Sequence, residues 1–177
     1  MPSIRSVTVY AASAPEAPAP LRALARDLGT GIADGALARG GRVEGVILDT
    51  FARVAHQKLH VLDTVGDMRS RKAALAHRGD AFVTLPGGFG TLEEVSEILV
   101  ERQLGFHAKP LVLLNYEGFW DGLLRQIDQM VASALVQPAY RDLLTVVPDA
   151  AGALAALTAA AARPSAATVD LGKLDGR

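Results

Sequence analysis

The sequence predicts an α/β fold in which a parallel β-sheet is covered by helices on both faces. Half of the 177 residues are hydrophobic and only 5% are aromatic, a composition typical of compact α/β proteins. Apolar strand patterns alternate with helical patterns, and residues 81–85 form an almost wholly apolar run, which indicates a strand buried on both sides. We expect a single domain over residues 1–163, followed by a flexible tail of small and polar residues at 164–177.

Each element is predicted from the local spacing of apolar residues. Strands are placed where short apolar runs lie between turn residues, and helices where apolar residues recur every three or four positions. Gly29-Thr30-Gly31 divides the first helical pattern into two helices, and Gly40-Gly41 ends the second. The predicted strands are 4–10, 43–48, 58–62, 81–85, 110–115 and 144–147; the predicted helices are 21–28, 32–39, 68–77, 91–104, 119–131 and 150–162.

Charge and composition exclude several classes of function. The net charge of −1 gives no basic field that would attract nucleic acid. The absence of cysteine excludes disulfides, thiolate metal sites and cysteine catalysis. No signal or membrane-spanning pattern is present, so we expect a cytoplasmic protein that does not bind membranes. His56 and His60 have the spacing of some metal ligands, but no glutamate follows His56, and we predict no metal site.

The segment with the clearest chemical meaning is residues 86–94, which read P-G-G-F-G-T-L-E-E directly after the apolar strand. A strand, a glycine-rich turn and a helix beginning at Thr91 would direct free main-chain N–H groups at one point, where the helix dipole also favours negative charge. Glycines let a ligand approach the main chain closely. The turn is neither a Walker A motif nor the dinucleotide fingerprint, and we predict a phosphate site.

Candidate chemical groups near this turn each have two interpretations. Glu94 either completes a capping box with Thr91 or presents its carboxylate to a bound sugar. Arg71 and Lys72 either form a solvated helix face or bind an anion, which would offset their unfavourable position in a first helical turn. Ser13 follows the first strand, at the sheet edge where α/β proteins bind ligands, and is either a turn hydroxyl or a site residue.

Taken together, these segments resemble the Lonely Guy (LOG) family of cytokinin riboside 5′-monophosphate phosphoribohydrolases, often labelled lysine decarboxylases. Residues 86–94 match its P-G-G-x-G-T-x-x-E signature in full, and Met68-x-x-Arg71-Lys72 matches its M-x-x-R-K element. Residues 33–41, 103–110 and 114–121 also look like family sequence, and the resemblance covers most of residues 4–150.

The resemblance implies a Rossmann-like fold, a homodimer, no cofactor, and hydrolysis of the N-glycosidic bond of adenosine monophosphate, often N6-modified. Free base and ribose 5-phosphate would be the products. Arg71 and Glu94 would be the catalytic pair, and Lys72 would help with the substrate's charge. The amphipathic helices at 68–77 and 92–104 also favour a dimer. The implied substrate-binding residues are Ser13, Met68, Lys72, Gly87, Gly88, Phe89, Gly90 and Thr91.

The chain departs from the family pattern in one place. Family members carry a second strand that ends in a G-G-G-x-x-G-L-M-G segment, whereas here residues 28–31 run directly into the next helix, so one helix–strand unit is lacking. A parallel sheet without an internal strand must close the gap or expose an edge. A nucleotide-binding protein without turnover, like the related molybdenum-cofactor carriers, is therefore a second interpretation. Decarboxylation would need a pyridoxal cofactor on a lysine, and no sequence pattern around Lys58, Lys72 or Lys109 indicates one.

Overall fold

The computed structural model describes residues 4–12, 16–37, 42–54 and 59–162, and it has the α/β architecture that the sequence predicts. Ser13, His56 and the predicted tail lie outside the described residues. The strands are β1 (Val7–Tyr10), β2 (Glu44–Leu48), β3 (Val61–Val65), β4 (Ala81–Thr84), β5 (Leu111–Leu114) and β6 (Leu144–Val147). The helices are α1 (Ala19–Leu37), α2 (Met68–Arg78), α3 (Phe89–Gln103), α4 (Asp121–Ala132), α5 (Pro138–Arg141) and α6 (Ala150–Ala162).

The main sheet consists of four parallel strands in the order β1-β4-β5-β6. Successive residues of a strand point to opposite faces, so each central strand contributes to two cores. Val83 and Val112 pack against Leu24 of α1 and Leu157 of α6 on one face. Phe82 packs on the other face, in a second core that includes residues of α3 and the start of α4. The fold is therefore Rossmann-like, with helices on both faces as predicted.

One edge of β1 has no partner strand among the described residues. Among the described residues β1 pairs only with β4, while β2 and β3 form a separate two-stranded parallel sheet. Val9, in the middle of β1, is 42% exposed. Of the two outcomes expected for a lost internal strand, the structure shows the open edge rather than a closed gap.

The two helices predicted around Gly29-Thr30-Gly31 are in fact one continuous helix, α1. A glycine inside a helix costs about 1 kcal/mol relative to alanine, a cost that tertiary packing commonly outweighs. Here the absence of a side chain at Gly31 lets α1 approach α6, because a Cβ on Gly31 would lie 2.4 Å from Leu154 Cδ1. The strand predicted at 58–62 is also displaced, since β3 spans Val61–Val65.

Gly29→Ala is expected to stabilise the protein by about 0.5–1 kcal/mol, because alanine has the higher helix propensity. A Cβ at Gly29 would have no heavy atom within 4 Å in the described structure. Gly31→Ala is the matched control and should give less stabilisation or none, because Leu154 must move. Chemical denaturation of the two variants measures the difference, and an equal gain from both would contradict the close α1–α6 packing.

Candidate active site

The candidate site lies at the carboxyl edge of the main sheet, where β4 leads into α3. The N–H of Leu85 donates to the carbonyl of Tyr10 over 2.9 Å. This hydrogen bond fixes the residue after β4 against the end of β1. Helix α3 begins at Phe89 with Gly88 as its N-cap, and no side chain caps it. No described residue accepts a hydrogen bond from the main-chain N–H of Phe89, Gly90 or Thr91, as is usual in a first helical turn.

The glycines of the turn serve two different purposes. A Cβ on Gly87 would lie 2.2 Å from Thr91 Oγ1, so this glycine is needed for the turn to close on the buried threonine. A Cβ on Gly88 or Gly90 would meet nothing within 4 Å in the described structure. Space beside these two residues is therefore open to an approaching ligand, next to the free N–H groups.

The capping box that would have linked Thr91 and Glu94 is not formed. Because α3 begins two residues earlier than the sequence indicates, Thr91 is the third residue of the helix and cannot be its N-cap. Glu94 instead directs its carboxylate at α2, where Oε1 accepts a hydrogen bond from Arg71 Nη1 over 2.7 Å. The main chain therefore does not compete for this carboxylate.

Arg71 joins three parts of the fold at this point. Besides contacting Glu94, its Nε donates to the carbonyl of Val46 in β2 over 3.1 Å. The first turn of α2 is fixed by its N-cap Asp67, which accepts from the Ser70 N–H at 2.9 Å and from the Ser70 hydroxyl at 2.7 Å. We did not predict this cap, although an aspartate immediately before the helix is a usual signal for it.

Burial controls the electrostatics of Glu94. Removal from water raises the pKa of its carboxyl above the ordinary value, and the neighbouring Arg71 only partly opposes that shift. Tyr10, buried at the carboxyl end of β1, was not among the predicted site residues. Burial, followed by the charge of Glu94, raises the pKa of its phenol, so Tyr10 stays neutral. A carboxyl group with a raised pKa beside a guanidinium is suited to acid–base chemistry or to stabilising a developing cation.

The ammonium of Lys72 is directed at α3. Its Nζ donates to Glu93 and, over 3.2 Å, to Glu97 Oε2. The hydrogen bond to Glu93 is the main cause of the raised pKa of Lys72. The predicted site residues Met68 and Phe89 stand at the first positions of α2 and α3 with 45% and 92% of their surface exposed.

The described residues provide neither a cluster that could hold a metal ion nor a helix that could span a membrane. No group of three or more histidine, aspartate or glutamate side chains in the described ranges could hold a metal ion. Within the same ranges, no helix has both the length and the apolar character that a membrane crossing requires.

One family model and several known proteins match this chain. A family model described as "Possible lysine decarboxylase" matches residues 30–157. A protein of Oryza sativa subsp. japonica named "Probable cytokinin riboside 5'-monophosphate phosphoribohydrolase" is 48% identical over 113 residues, which are 63% of this chain and 50% of that protein. A "Cytokinin riboside 5'-monophosphate phosphoribohydrolase" of Rhodococcoides fascians is 43% identical over 129 residues, 71% of this chain and 65% of the relative.

A third relative with the same printed function, from Arabidopsis thaliana, is 41% identical over 123 residues, 68% of this chain and 58% of the relative. The chain thus spans between half and two thirds of the length of these relatives. The family model covers well over half of the chain and includes both Arg71 and Glu94. The chain therefore belongs to the Lonely Guy family, as its two motifs predict.

Proposed function

We propose that this protein hydrolyses the N-glycosidic bond of adenosine 5′-monophosphate or an N6-substituted derivative. Water is consumed, and the products are the free base and ribose 5-phosphate. The observation that carries the proposal is the contact between Arg71 and the buried Glu94, one helical turn from the open N-terminus of α3. The printed functions of the relatives name the same reaction.

The 5′-phosphate is proposed to bind at the start of α3. The free N–H groups of Phe89, Gly90 and Thr91 and the helix dipole favour an anion there. Gly87 keeps the turn closed, and Gly88 and Gly90 leave room for the phosphate oxygens. We propose that Met68, Phe89 and Ser13 border the nucleotide and that Lys72 lies at the edge of the site. Binding the phosphate supplies energy that orients the distant glycosidic bond.

The catalytic step is assigned to Glu94 and Arg71. Cleavage of the bond between the anomeric carbon and the base nitrogen leaves positive oxocarbenium character on the ribose. The Glu94 carboxylate is proposed to stabilise that charge and to position the attacking water or attack the carbon itself. Arg71 balances the buried carboxylate, and its remaining N–H groups can face the phosphate or the leaving base while the contact with Glu94 is kept.

The proposal is tested by incubating the protein with AMP and with N6-isopentenyl-AMP and measuring free base by chromatography. Base should appear together with an equal amount of ribose 5-phosphate. Arg71→Ala and Glu94→Ala proteins are the controls for contaminating activity. Base release by wild type at no more than the rate of these variants would refute the enzymatic function.

Binding without turnover is the second candidate, favoured by the open edge of β1 where the family's missing unit would stand. Calorimetry with AMP distinguishes the two, because a pure binding protein would give heat of binding and no product. Decarboxylation finds no support in the described lysines, since Schiff-base chemistry needs a free amine. Lys72 is paired with carboxylates, and Lys109 Nζ donates to the carbonyl of Ala76 over 2.6 Å.

A homodimer in the cytoplasm, where nucleoside monophosphates are found, completes the proposal. Exposed apolar side chains occur near the end of α3 and in the segment after α4: Val100 is 52% exposed, Phe106 74% and Leu135 79%. Leu104 and Leu135 line the same groove. Apolar side chains around such a groove can mark an interaction site, and we propose that a second copy of the chain covers it.

Leu135→Glu is expected to convert a dimer into a monomer, because burying an unpaired carboxylate in an apolar interface is strongly unfavourable. Sedimentation of the variant and of wild type at equal concentration measures the change. Phe51→Glu is the control, since Phe51 is 56% exposed but lies in the turn after β2, on another part of the chain. A dimer that survives Leu135→Glu would exclude this surface as the interface.

A further inference from the structure

We propose that Lys72 is a positioning residue, which holds α2 against α3 through Glu93 and Glu97 and thereby keeps Arg71 beside Glu94. The inference rests on the proposed hydrolysis and refines it. It assigns Lys72 a role in the arrangement of the protein's own side chains, in place of the direct contact with substrate charge that the family resemblance implies.

The contacts of Lys72 are made within the protein. Its ammonium donates to Glu93 and to Glu97 Oε2, the latter over 3.2 Å. Glu93 and Glu97 are four residues apart, so they lie on the same face of α3. The Lys72 side chain is only 18% exposed, whereas those of Glu93 and Glu97 are 51% and 40% exposed. The lysine is thus the least exposed member of this cluster.

The balance of charge disfavours a lysine that leaves this cluster for a phosphate. Arg71 and Lys72 face Glu93, Glu94 and Glu97, so three carboxylates already share two cations. Moving Lys72 to a phosphate would leave Glu93 and Glu97 unpaired beside each other and beside a new anion. Repulsion among these groups would oppose binding. The main-chain N–H groups at the start of α3 can hold the phosphate without that cost.

The effect on catalysis follows from the position of Lys72 next to Arg71 in α2. Any movement of this turn away from α3 changes the 2.7 Å contact between Arg71 Nη1 and Glu94 Oε1. A displacement of about 1 Å at a reacting group can lower a rate by about 100-fold. Lys72 therefore acts on the reaction through Arg71, with no contact to the reacting atoms.

Two variants separate positioning from substrate contact, because the two roles predict different changes in kcat and in AMP binding. Lys72→Met removes the ammonium, and the double variant Glu93→Ala/Glu97→Ala removes its acceptors. If Lys72 positions Arg71, both variants should lower kcat by about tenfold or more, and the Kd of Lys72→Met for AMP, measured by calorimetry, should stay within about threefold of wild type. If Lys72 binds the phosphate, Lys72→Met should weaken AMP binding and the double variant, which frees the ammonium, should strengthen it. AMP binding by Lys72→Met that is weaker than wild type by more than about threefold, or an unchanged kcat in Lys72→Met, would overturn the proposal.

A measurement on the ligand-free protein keeps this test separate from the test of function. The Arg71 Nε–H donates to Val46, so its hydrogen exchange, followed by NMR, reports where Arg71 stands. Lys72→Met and the double variant should speed this exchange by about tenfold or more, and Lys72→Arg should restore protection. Unchanged exchange in Lys72→Met would overturn the positioning role even if the enzyme is active. A wild-type protein that releases no base would refute the proposed function and leave this result intact.

Discussion

Glu94→Gln is expected to lower kcat for base release by about 10²–10⁴-fold, the range found when a group that acts only in the transition state is lost. The amide keeps the size of the side chain and can still accept the hydrogen bond from Arg71 Nη1. It lacks the negative charge that stabilises the oxocarbenium character of the ribose. The Kd for AMP should change little, because the phosphate is held by the start of α3.

Stability and pH dependence distinguish a catalytic Glu94 from one that only supports the fold. Burial raises the pKa of Glu94 in the folded protein above its unfolded value. The folded state therefore holds the proton more tightly, and the contribution of Glu94 to stability is lost as pH rises through the raised pKa. Glu94→Gln should consequently be as stable as wild type near neutral pH, or more stable.

The activity has the opposite pH dependence, because the charged carboxylate is the working form. Wild-type kcat/KM should rise with pH through the raised pKa of Glu94 in the free enzyme, so its acid limb lies above the range of an ordinary glutamate. A residual rate in Glu94→Gln that keeps the same acid limb would contradict this assignment. A variant that is inactive because it is unfolded would be recognised by thermal denaturation.

The central strands could be predicted because nearly all of their consecutive residues are apolar. Strands β4 and β5 are buried on both faces, so their apolar runs need no knowledge of the neighbours. The continuity of α1 could not be predicted in the same way. Gly31 separates two helical patterns in the sequence, and only the approach of Leu154 from α6, more than 120 residues later, shows why a glycine stands there.

The same limit applies to the candidate site. The sequence identified the glycine turn and the Arg71-Lys72 element because each is a local motif. It left two interpretations of Glu94 open, since both use the same spacing from Thr91. The choice depends on where α3 begins and on a contact with Arg71 across 23 residues of sequence, and both are set by tertiary packing. Ser13 remains a proposed site residue outside the described ranges.

The two glycines that begin the turn should respond differently to alanine, although they are adjacent. Gly87→Ala would bring a Cβ to 2.2 Å from Thr91 Oγ1 and 2.5 Å from Thr91 Cβ, so the turn or the start of α3 must move. Because Thr91 is buried, we expect a loss of about 1–3 kcal/mol in the free energy of unfolding, as for other overpacked sites. AMP binding should also weaken by about tenfold or more, since the phosphate donors are displaced.

Gly88→Ala is the matched variant, because its Cβ would meet nothing within 4 Å in the ligand-free protein and the main chain there is extended. Its stability should therefore stay within about 0.5 kcal/mol of wild type, as for a surface substitution. AMP binding should nevertheless weaken, because the new methyl group occupies the space proposed for the phosphate oxygens. Chemical denaturation gives the free energy of unfolding of each variant, and calorimetry gives the Kd of each for AMP. If Gly88→Ala binds AMP as tightly as wild type, the phosphate does not lie at this turn, and the proposed orientation of the nucleotide towards Glu94 is wrong.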